Sequence, residues 1–335
     1  MSYKSIFVTG ADGFIGSHLV EKLIFKGFKV KALVQYNFQN SWGWLDELDK
    51  KILKEVEIIQ GDLRDKSTYE KTAENSSHVF NLAALIGIPY SYKAPKSYID
   101  TNLKGLMNLM DIIKKKNNTM LIHTSTSEVY GSGKMMSMNE NHPLNPQSPY
   151  AASKIAADAM VNAYYNSYDI PVSIIRPFNN FGPRQSLRAI IPTIISQTLN
   201  KNLKEIKLGN LNVTRDFTYI DDTVNAFLKT INNSKVIGET INIGNNFEVS
   251  VKDLVEIISK LTDIKKPIKV EKKRIRTSSS EVKRLRCNNR KAKIILKWQP
   301  KFNKINGFKS ALRNTLDWYK NPKNLKKLKS NIYNI

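Results

Sequence analysis

The sequence predicts an α/β fold, a doubly wound parallel sheet followed by a smaller C-terminal α/β domain. Three observations point there. Short apolar runs alternate with amphipathic helical stretches from residue 6 to residue 243; a glycine-rich turn separates the first such run from the first helix; and beyond Gly244 the alternation gives way to helices, short strands and basic loops. A chain of 335 residues, 41% of them apolar, suits one large domain or two intimate ones. No apolar run reaches the ~18 residues of a membrane span. The N-terminus lacks the basic, apolar and cleavage-site order of an export signal, so a cytoplasmic chain without membrane contact is expected. The single cysteine, Cys287, leaves no internal disulfide or cysteine cluster, and no metal site is expected.

Lys and Arg total 53 against 29 Asp and Glu, a formal net charge of +24. Taken alone, this suggests a polyanionic partner. The excess is spread widely and thickens at 265–293 and 320–329, as solvated faces do. A nucleotide diphosphate would draw on the same charge, and nucleic acid is not expected as a partner.

In chain order, residues 6–9 read as a strand, Gly10-Ala11-Asp12-Gly13-Phe14-Ile15-Gly16 as a turn, and 17–26 as a helix with Leu19, Val20, Leu23 and Ile24 at helical spacing. Gly10 permits the tight turn, Gly13 lets backbone approach a pyrophosphate at the helix N-terminus, and Gly16 lets helix and strand pack closely. This is the start of a Rossmann-type dinucleotide site. Strand 29–34 is followed by Gln35-Tyr36-Asn37, where a NAD site normally carries an acid for the ribose. Tyr36 is the candidate cofactor contact there, and with no adjacent arginine for a 2′-phosphate the cofactor is read as NAD with NADP left open. After strand 56–59, Asp62 and Leu63 stand where an adenine amino group is met, although Asp62 equally suits a plain turn. Strand 78–82 ends in Leu82-Ala83-Ala84, small enough for a cofactor to lie against the sheet.

The loop 86–96, with Ile88, Pro89, Tyr90 and Tyr92, edges a substrate pocket. A helix follows at 98–115, with Leu103, Leu106, Met107, Met110 and Ile113 inward and Thr101-Asn102 as its early polar pair. Strand 120–123 runs into Thr124-Ser125-Thr126-Ser127-Glu128-Val129-Tyr130-Gly131, at the carboxyl end of the sheet where ligands lie. Glu128 is a candidate proton shuttle, though a turn carboxylate looks the same in sequence. Strand 172–175 leaves through Arg176-Pro177-Phe178-Asn179-Asn180 as a polar loop, 189–199 is helical, Arg215-Asp216-Phe217 precedes another amphipathic helix, and 240–243 is the last strand of the sheet.

One helical turn, Tyr150-Ala151-Ala152-Ser153-Lys154, carries the chemistry. Positions i and i+4 share a helix face, so the Lys154 ammonium can lie beneath the Tyr150 phenol and lower its pKa, making it a base for an alcohol-oxidising site. The same pair also occurs as surface neighbours on ordinary helices. The rest of the chain tips the balance.

Gly10-x-x-Gly13-x-x-Gly16, Ser125-Thr126, Tyr150-x-x-x-Lys154 and Arg176-Pro-x-Asn179 together resemble an extended short-chain dehydrogenase/reductase that modifies nucleotide sugars, along essentially the whole chain to about Tyr319. Ser41-Trp42-Gly43-Trp44, Ile88-Pro89-Tyr90, the segment 123–131, Gln147 to Lys154 and Arg215-Asp216-Phe217 look like the N-acetylglucosamine 4,6-dehydratases of the legionaminic acid pathway. The resemblance implies oxidation at C4 with Tyr150 and Lys154, alignment of the 4-oxygen by Thr126, loss of the C5 proton to Glu128, departure of water from C6 and reduction there, with no net use of NAD. Related glucose dehydratases carry Asp where this chain has Ser127, so Ser127 would have to relay a proton or Glu128 would have to serve both steps. The same Thr-Ser-Glu order resembles the UDP-glucuronate decarboxylases, the alternative reading beside a 4-epimerase. A noncatalytic dinucleotide- or nucleic-acid-binding protein is the remote one.

For the sugar nucleotide, GDP-linked before UDP-linked, the resemblance implies contacts from Ile88, Ser127, Glu128, Asn179, Asn180, Arg188, Arg215, Arg276 and Glu281. For the cofactor it implies contacts from Asn102, Tyr150 and Lys154 beside the residues above. It also implies a homodimer through the helices 98–115 and 150–168. The expected organisation is a dinucleotide-binding domain at 1–178 rejoined by 214–244, a nucleotide-sugar domain from 179–213 and 245–325, and a basic tail at 326–335.

Overall fold

Alternation along the strands builds the fold. In β1 (Ser5–Thr9), Ile6 and Val8 enter one apolar layer and Phe7 the other, because successive side chains of a strand point to opposite faces. The same division recurs in β2 (Lys29–Gln35), where Ala32 and Val34 oppose Leu33, in β4 (His78–Asn81), where Phe80 opposes Val79, and in β5 (Met120–Thr124), where Ile122 opposes Leu121. A sheet apolar on both faces must be covered twice. The helices Phe14–Phe25 and Ile220–Leu228 cover one face; Gly105–Lys114 and Pro149–Tyr168 cover the other. The computed structural model describes residues 5–116, 118–326 and 332–333. Of the expected tail, residues 327–331, 334 and 335 lie outside the described residues.

The remaining strands are β3 (Val56–Gly61), β6 (Val172–Pro177), β7 (Asn179–Phe181), β8 (Ile206–Leu208), β9 (Thr214–Tyr219), β10 (Thr240–Ile243), β11 (Glu248–Ser250), β12 (Ile268–Val270) and β13 (Arg284–Leu285). Seven form a parallel sheet in the order β10-β6-β5-β4-β1-β2-β3. The order reverses at β1, which opens a crevice beyond the strand ends. A smaller sheet centres on β9, antiparallel to β11 and parallel to β13 and β7; β8 and β12 pair separately.

Three expectations change. The polar loop after β6 contains a strand, β7, whose asparagines hid it: only Phe181 of its three residues is buried. The stretch 214–219, expected with the dinucleotide half, is the central strand of the smaller sheet, and only the following helix and β10 rejoin the first. The loop 86–96 is largely helical, as Ile88–Lys93 and Pro95–Tyr98, each with proline in its first turn, where the missing N–H costs nothing. The chain then makes a π-helical turn, Ile99–Lys104, before Gly105–Lys114. That widened turn changes the phase of the helix. Leu103 and Met107, expected inward, are half-buried, while Asn102 points in.

Phe308 of the helix Lys304–Lys320 packs its ring against Phe181, Phe217 and Phe247 and so joins the C-terminal helix to the smaller sheet. Phe308→Ala should cost about 3–5 kcal/mol, read as a lower urea midpoint by circular dichroism.

Candidate active site

The glycine turn leaves no room for side chains. A Cβ on Gly10, whose φ is 64°, would lie 2.7 Å from the Ala83 nitrogen, and one on Gly16 would collide with the Gly10 carbonyl. The helix Phe14–Phe25 begins at Gly13 without a side-chain cap, so its first N–H groups, from Phe14, Ile15 and Gly16, are left for an anion at the wall of the cleft. Leu82, Ala83 and Ala84 floor the same wall, with Asp12, Asp62 and Leu63 towards β2 and β3. These residues fit a dinucleotide pyrophosphate. Two expected contacts are not in the cleft wall. Tyr36 turns outward and is 73% exposed, and Asn102 is buried behind the wall, where it holds Leu85 through Oδ1 (2.8 Å from Leu85 N) and Nδ2 (3.0 Å from Leu85 O) and also donates to Ser153 Oγ.

At the other end, β5 delivers Thr126, Ser127 and Glu128 into the 3-10 turn Ser127–Tyr130, whose first free N–H, that of Glu128, donates to Thr126 Oγ1 at 3.2 Å. Tyr150 and Lys154 stand on the first turns of the helix Pro149–Tyr168, which Ser148 caps by accepting from Ala151 N. Tyr150 is buried and hydrogen-bonded to Thr126. Its phenol is not lowered as expected. Burial raises its pKa, and the Thr126 bond pulls the other way. The reason is where the ammonium goes: Lys154 Nζ donates to the Thr124 carbonyl at 2.7 Å and lies 3.4 Å from His123 Nε2. Burial brings Lys154 down to about 8, against the pull of Asp158.

Asp158 is a residue the sequence reading passed over. Its carboxylate accepts from Ser125 Oγ (2.8 Å) and from Arg176 Nε (3.0 Å), and stands 3.6 Å from His123 Nε2. Arg176 continues to the Tyr130 hydroxyl, which donates to Asn242. Burial, then Lys154 and Arg176, holds His123 well below the ordinary histidine pKa, so its ring is neutral. Asp158 lies four residues beyond Lys154 and eight beyond Tyr150 on one helix face, a spacing that could have disclosed it.

The cleft has a volume of about 1300 Å³ and runs on to Ile88, Asn179, Asn180, Arg188, Arg215, Arg276 and Glu281. Arg215 is buried, which lowers its pKa; Glu128 and Glu281 act the other way, and Glu281 Oε1 is 3.9 Å from its Nη2. Arg188 reaches the corner of Gly87 and Tyr98, and the Tyr98 ring meets Tyr150 edge-on at 6.2 Å. A clasp that sequence did not suggest ties the segment before the helix Pro149–Tyr168 to residues 279–280. Gln147 accepts from Ser132 N and donates to the Ser279 carbonyl, and Ser280 Oγ donates to Gln147 O while meeting the Tyr92 hydroxyl. Among the described residues, no cluster of His, Cys, Asp and Glu is placed to hold a metal ion, and no helix is long and apolar enough to cross a membrane.

The family model described as GDP-mannose 4,6 dehydratase matches residues 7–310. A dTDP-D-glucose 4,6-dehydratase of Homo sapiens is 31% identical over 95% of this chain and 90% of its own, and a UDP-glucose 4-epimerase of Mycolicibacterium smegmatis is 30% identical over 94% and 98%. Among solved structures, dTDP-glucose 4,6-dehydratase from Bacillus anthracis in complex with NAD superposes with a TM-score of 0.85 at 29% identity, covering 97% of this chain and all of that one. UDP-glucuronic acid 4-epimerase from Bacillus cereus, in complex with UDP-glucuronic acid and NAD, gives 0.83 at 27%, covering 94% and 99%. Both reactions thus occur among relatives of nearly the same length and fold, and the chain belongs to the extended short-chain dehydrogenase/reductase family of nucleotide-sugar dehydratases and epimerases.

Proposed function

We propose that this enzyme dehydrates a nucleotide-linked N-acetylglucosamine, GDP-linked in preference to UDP-linked, to the 4-keto-6-deoxy sugar, as a step towards a legionaminic-acid-type surface sugar. The observation that carries the reading is Glu128, a buried carboxylate on the same turn as Thr126 and electrostatically coupled to Tyr150. A 4-epimerase needs a base at C4 and nothing more; an elimination also needs a base at C5. The relatives whose structures hold NAD and a UDP sugar support a dinucleotide against the glycine turn and a sugar nucleotide against Asn179, Asn180, Arg215 and Arg276. In this reading, segments 1–178 and 220–244 serve the dinucleotide, and 179–219 with 245–325 serve the sugar nucleotide. The enzyme works as a homodimer through the helices around 98–115 and 150–168.

NAD, when bound, supplies the reversible two-electron exchange, taking electrons from C4 and restoring them at C6, so that none is consumed. The chain supplies the proton chemistry. Thr126 hydrogen-bonds the 4-oxygen and aligns it with Tyr150, which takes the hydroxyl proton. Burial opposes a phenolate, so positive charge must come beside it, and Lys154, one helical turn away and protonated below about pH 8, is the cation this chain offers. The C4 ketone acidifies the C5 proton, and Glu128 removes it. The departing 6-hydroxyl needs a proton that Ser127 alone donates poorly, so Glu128 returns the one it has taken, directly or through Ser127, and water leaves; as C6 is reduced C5 takes back a proton, balanced by the one Tyr150 removed from the 4-hydroxyl.

A second reading has one specific support. Arg188 lines the cleft at the Gly87–Tyr98 corner, a cation suited to the carboxylate of a uronate, and with Ser127 in place of an acid this favours decarboxylation or epimerisation of UDP-glucuronate. Mass spectrometry separates the readings. Incubated without added reductant, the enzyme should remove one water from GDP- or UDP-N-acetylglucosamine; loss of carbon dioxide from UDP-glucuronate, or a product of unchanged mass, would replace the dehydratase assignment. Tyr150→Phe should lower turnover about 10²–10⁴-fold while both ligands still bind by calorimetry. In Glu128→Gln, reduced nicotinamide should form and accumulate at near wild-type rate with no water lost, and a variant failing at the first oxidation would remove Glu128 from C5.

A further inference from the structure

The carboxylate that a NAD site needs at the end of β2 is missing from β2 itself. The structure accounts for each residue there. Tyr36 points to solvent. Asn37 closes its own loop, its Nδ2 donating to Ser41 O (2.8 Å) and Gln35 O (3.1 Å) and its Oδ1 accepting from Ser41 N. Gln35 lines the cleft but carries an amide. A carboxylate does stand at this strand end, and it comes from another segment. Asp12, in the glycine turn after β1, accepts the Gln35 N–H on its Oδ2 at 3.3 Å and lines the cleft.

Its position is built from both sides. Ala11 N donates to Leu33 O at 3.2 Å, which draws the turn against β2. From outside, Trp44 N donates to Asp12 O at 3.0 Å, and Gly43, at φ 60°, lies so close that a Cβ there would come 2.9 Å from the Asp12 Cβ. Partial burial raises the Asp12 carboxyl against the pull of the Gln35 N–H, which marks a carboxylate short of donors. Vicinal ribose hydroxyls are two such donors. At the same end of the cleft, Arg64 is folded back onto Asp62, with its Nε 2.9 Å from Oδ1 and 3.1 Å from Oδ2, and so does not present its charge to a phosphate.

We infer that Asp12 stands in for the strand-end acid, accepting the hydroxyl hydrogens of the adenosine ribose and repelling a 2′-phosphate, so that the glycine turn both cradles the dinucleotide and selects NAD over NADP. This rests on the reading that the cleft binds a dinucleotide. The test is titration calorimetry of the full chain, freed of copurified nucleotide, with NAD and NADP separately, for the wild type, Asp12→Asn and Asp12→Ser, with circular dichroism as the check on folding. The wild type should bind NAD at least about 100-fold more tightly than NADP. Each Asp12 variant should lose about 10- to 100-fold in NAD affinity, and the preference should shrink by at least that factor. An unchanged NAD-to-NADP ratio in both Asp12 variants, or a wild type that favours NADP, overturns the assignment to Asp12 and leaves the dinucleotide reading standing. A wild type that binds neither overturns both.

Discussion

A carboxylate in a place water does not reach has to be answered by the protein, and Asp158 is answered on Oδ2 by Arg176 from β6 and by Ser125 from the end of β5, while its Oδ1, 3.6 Å from the neutral His123, accepts no hydrogen bond. Breaking such a buried pair is costly because the remaining charge has nowhere to be solvated. The helix Pro149–Tyr168 is therefore locked to two neighbouring strands just below the turn that presents Tyr150 and Lys154. The arrangement also fixes charge. Burial raises the Asp158 carboxyl, Arg176 and Lys154 pull it back towards the ionised form, and Asp158 in turn supports the ammonium of Lys154. A proton-transfer site built this way keeps its geometry and its electrostatics by the same contacts.

The parallel sheet was legible because its signals are local: apolar strands, glycines where backbone passes backbone, and helices with one apolar face. That Tyr150 and Lys154 share a helix face at the cleft with Thr126 was legible for a similar reason, since they fall on short segments whose spacing states which side they share. What was not legible came from contacts between distant segments. Nothing near Lys154 in sequence says that its ammonium would be bound by the Thr124 carbonyl, so the expected lowering of the Tyr150 phenol was not met. β7 was hidden because a strand that faces a polar cleft does not alternate. Asn102 pointed inward because a π-turn, invisible in composition, shifted the phase of its helix; this also left Leu103 half out of the core.

The cleft is chemically uneven along its length. Near the glycine turn it offers backbone N–H groups and carboxylates, a surface for phosphate oxygens flanked by acceptors for hydroxyls and amines. Towards the smaller sheet it offers arginines, of which Arg215 is buried and so exerts its field through little solvent. Thr126, Glu128 and Tyr150 lie between these ends. The large net positive charge of the chain is mostly on solvated faces; the charges that bear on chemistry are the few that the fold has removed from water.

The close packing of the first turn also limits what this chain can become. Side chains at the open rim of the cleft meet solvent on one side, and new sugars could be explored by trading residues there. Gly16, set against the Gly10 carbonyl, has no such freedom. Substitution can reach the rim of the cleft far more easily than its first turn, so new specificity is open to this fold where a new dinucleotide cradle is not.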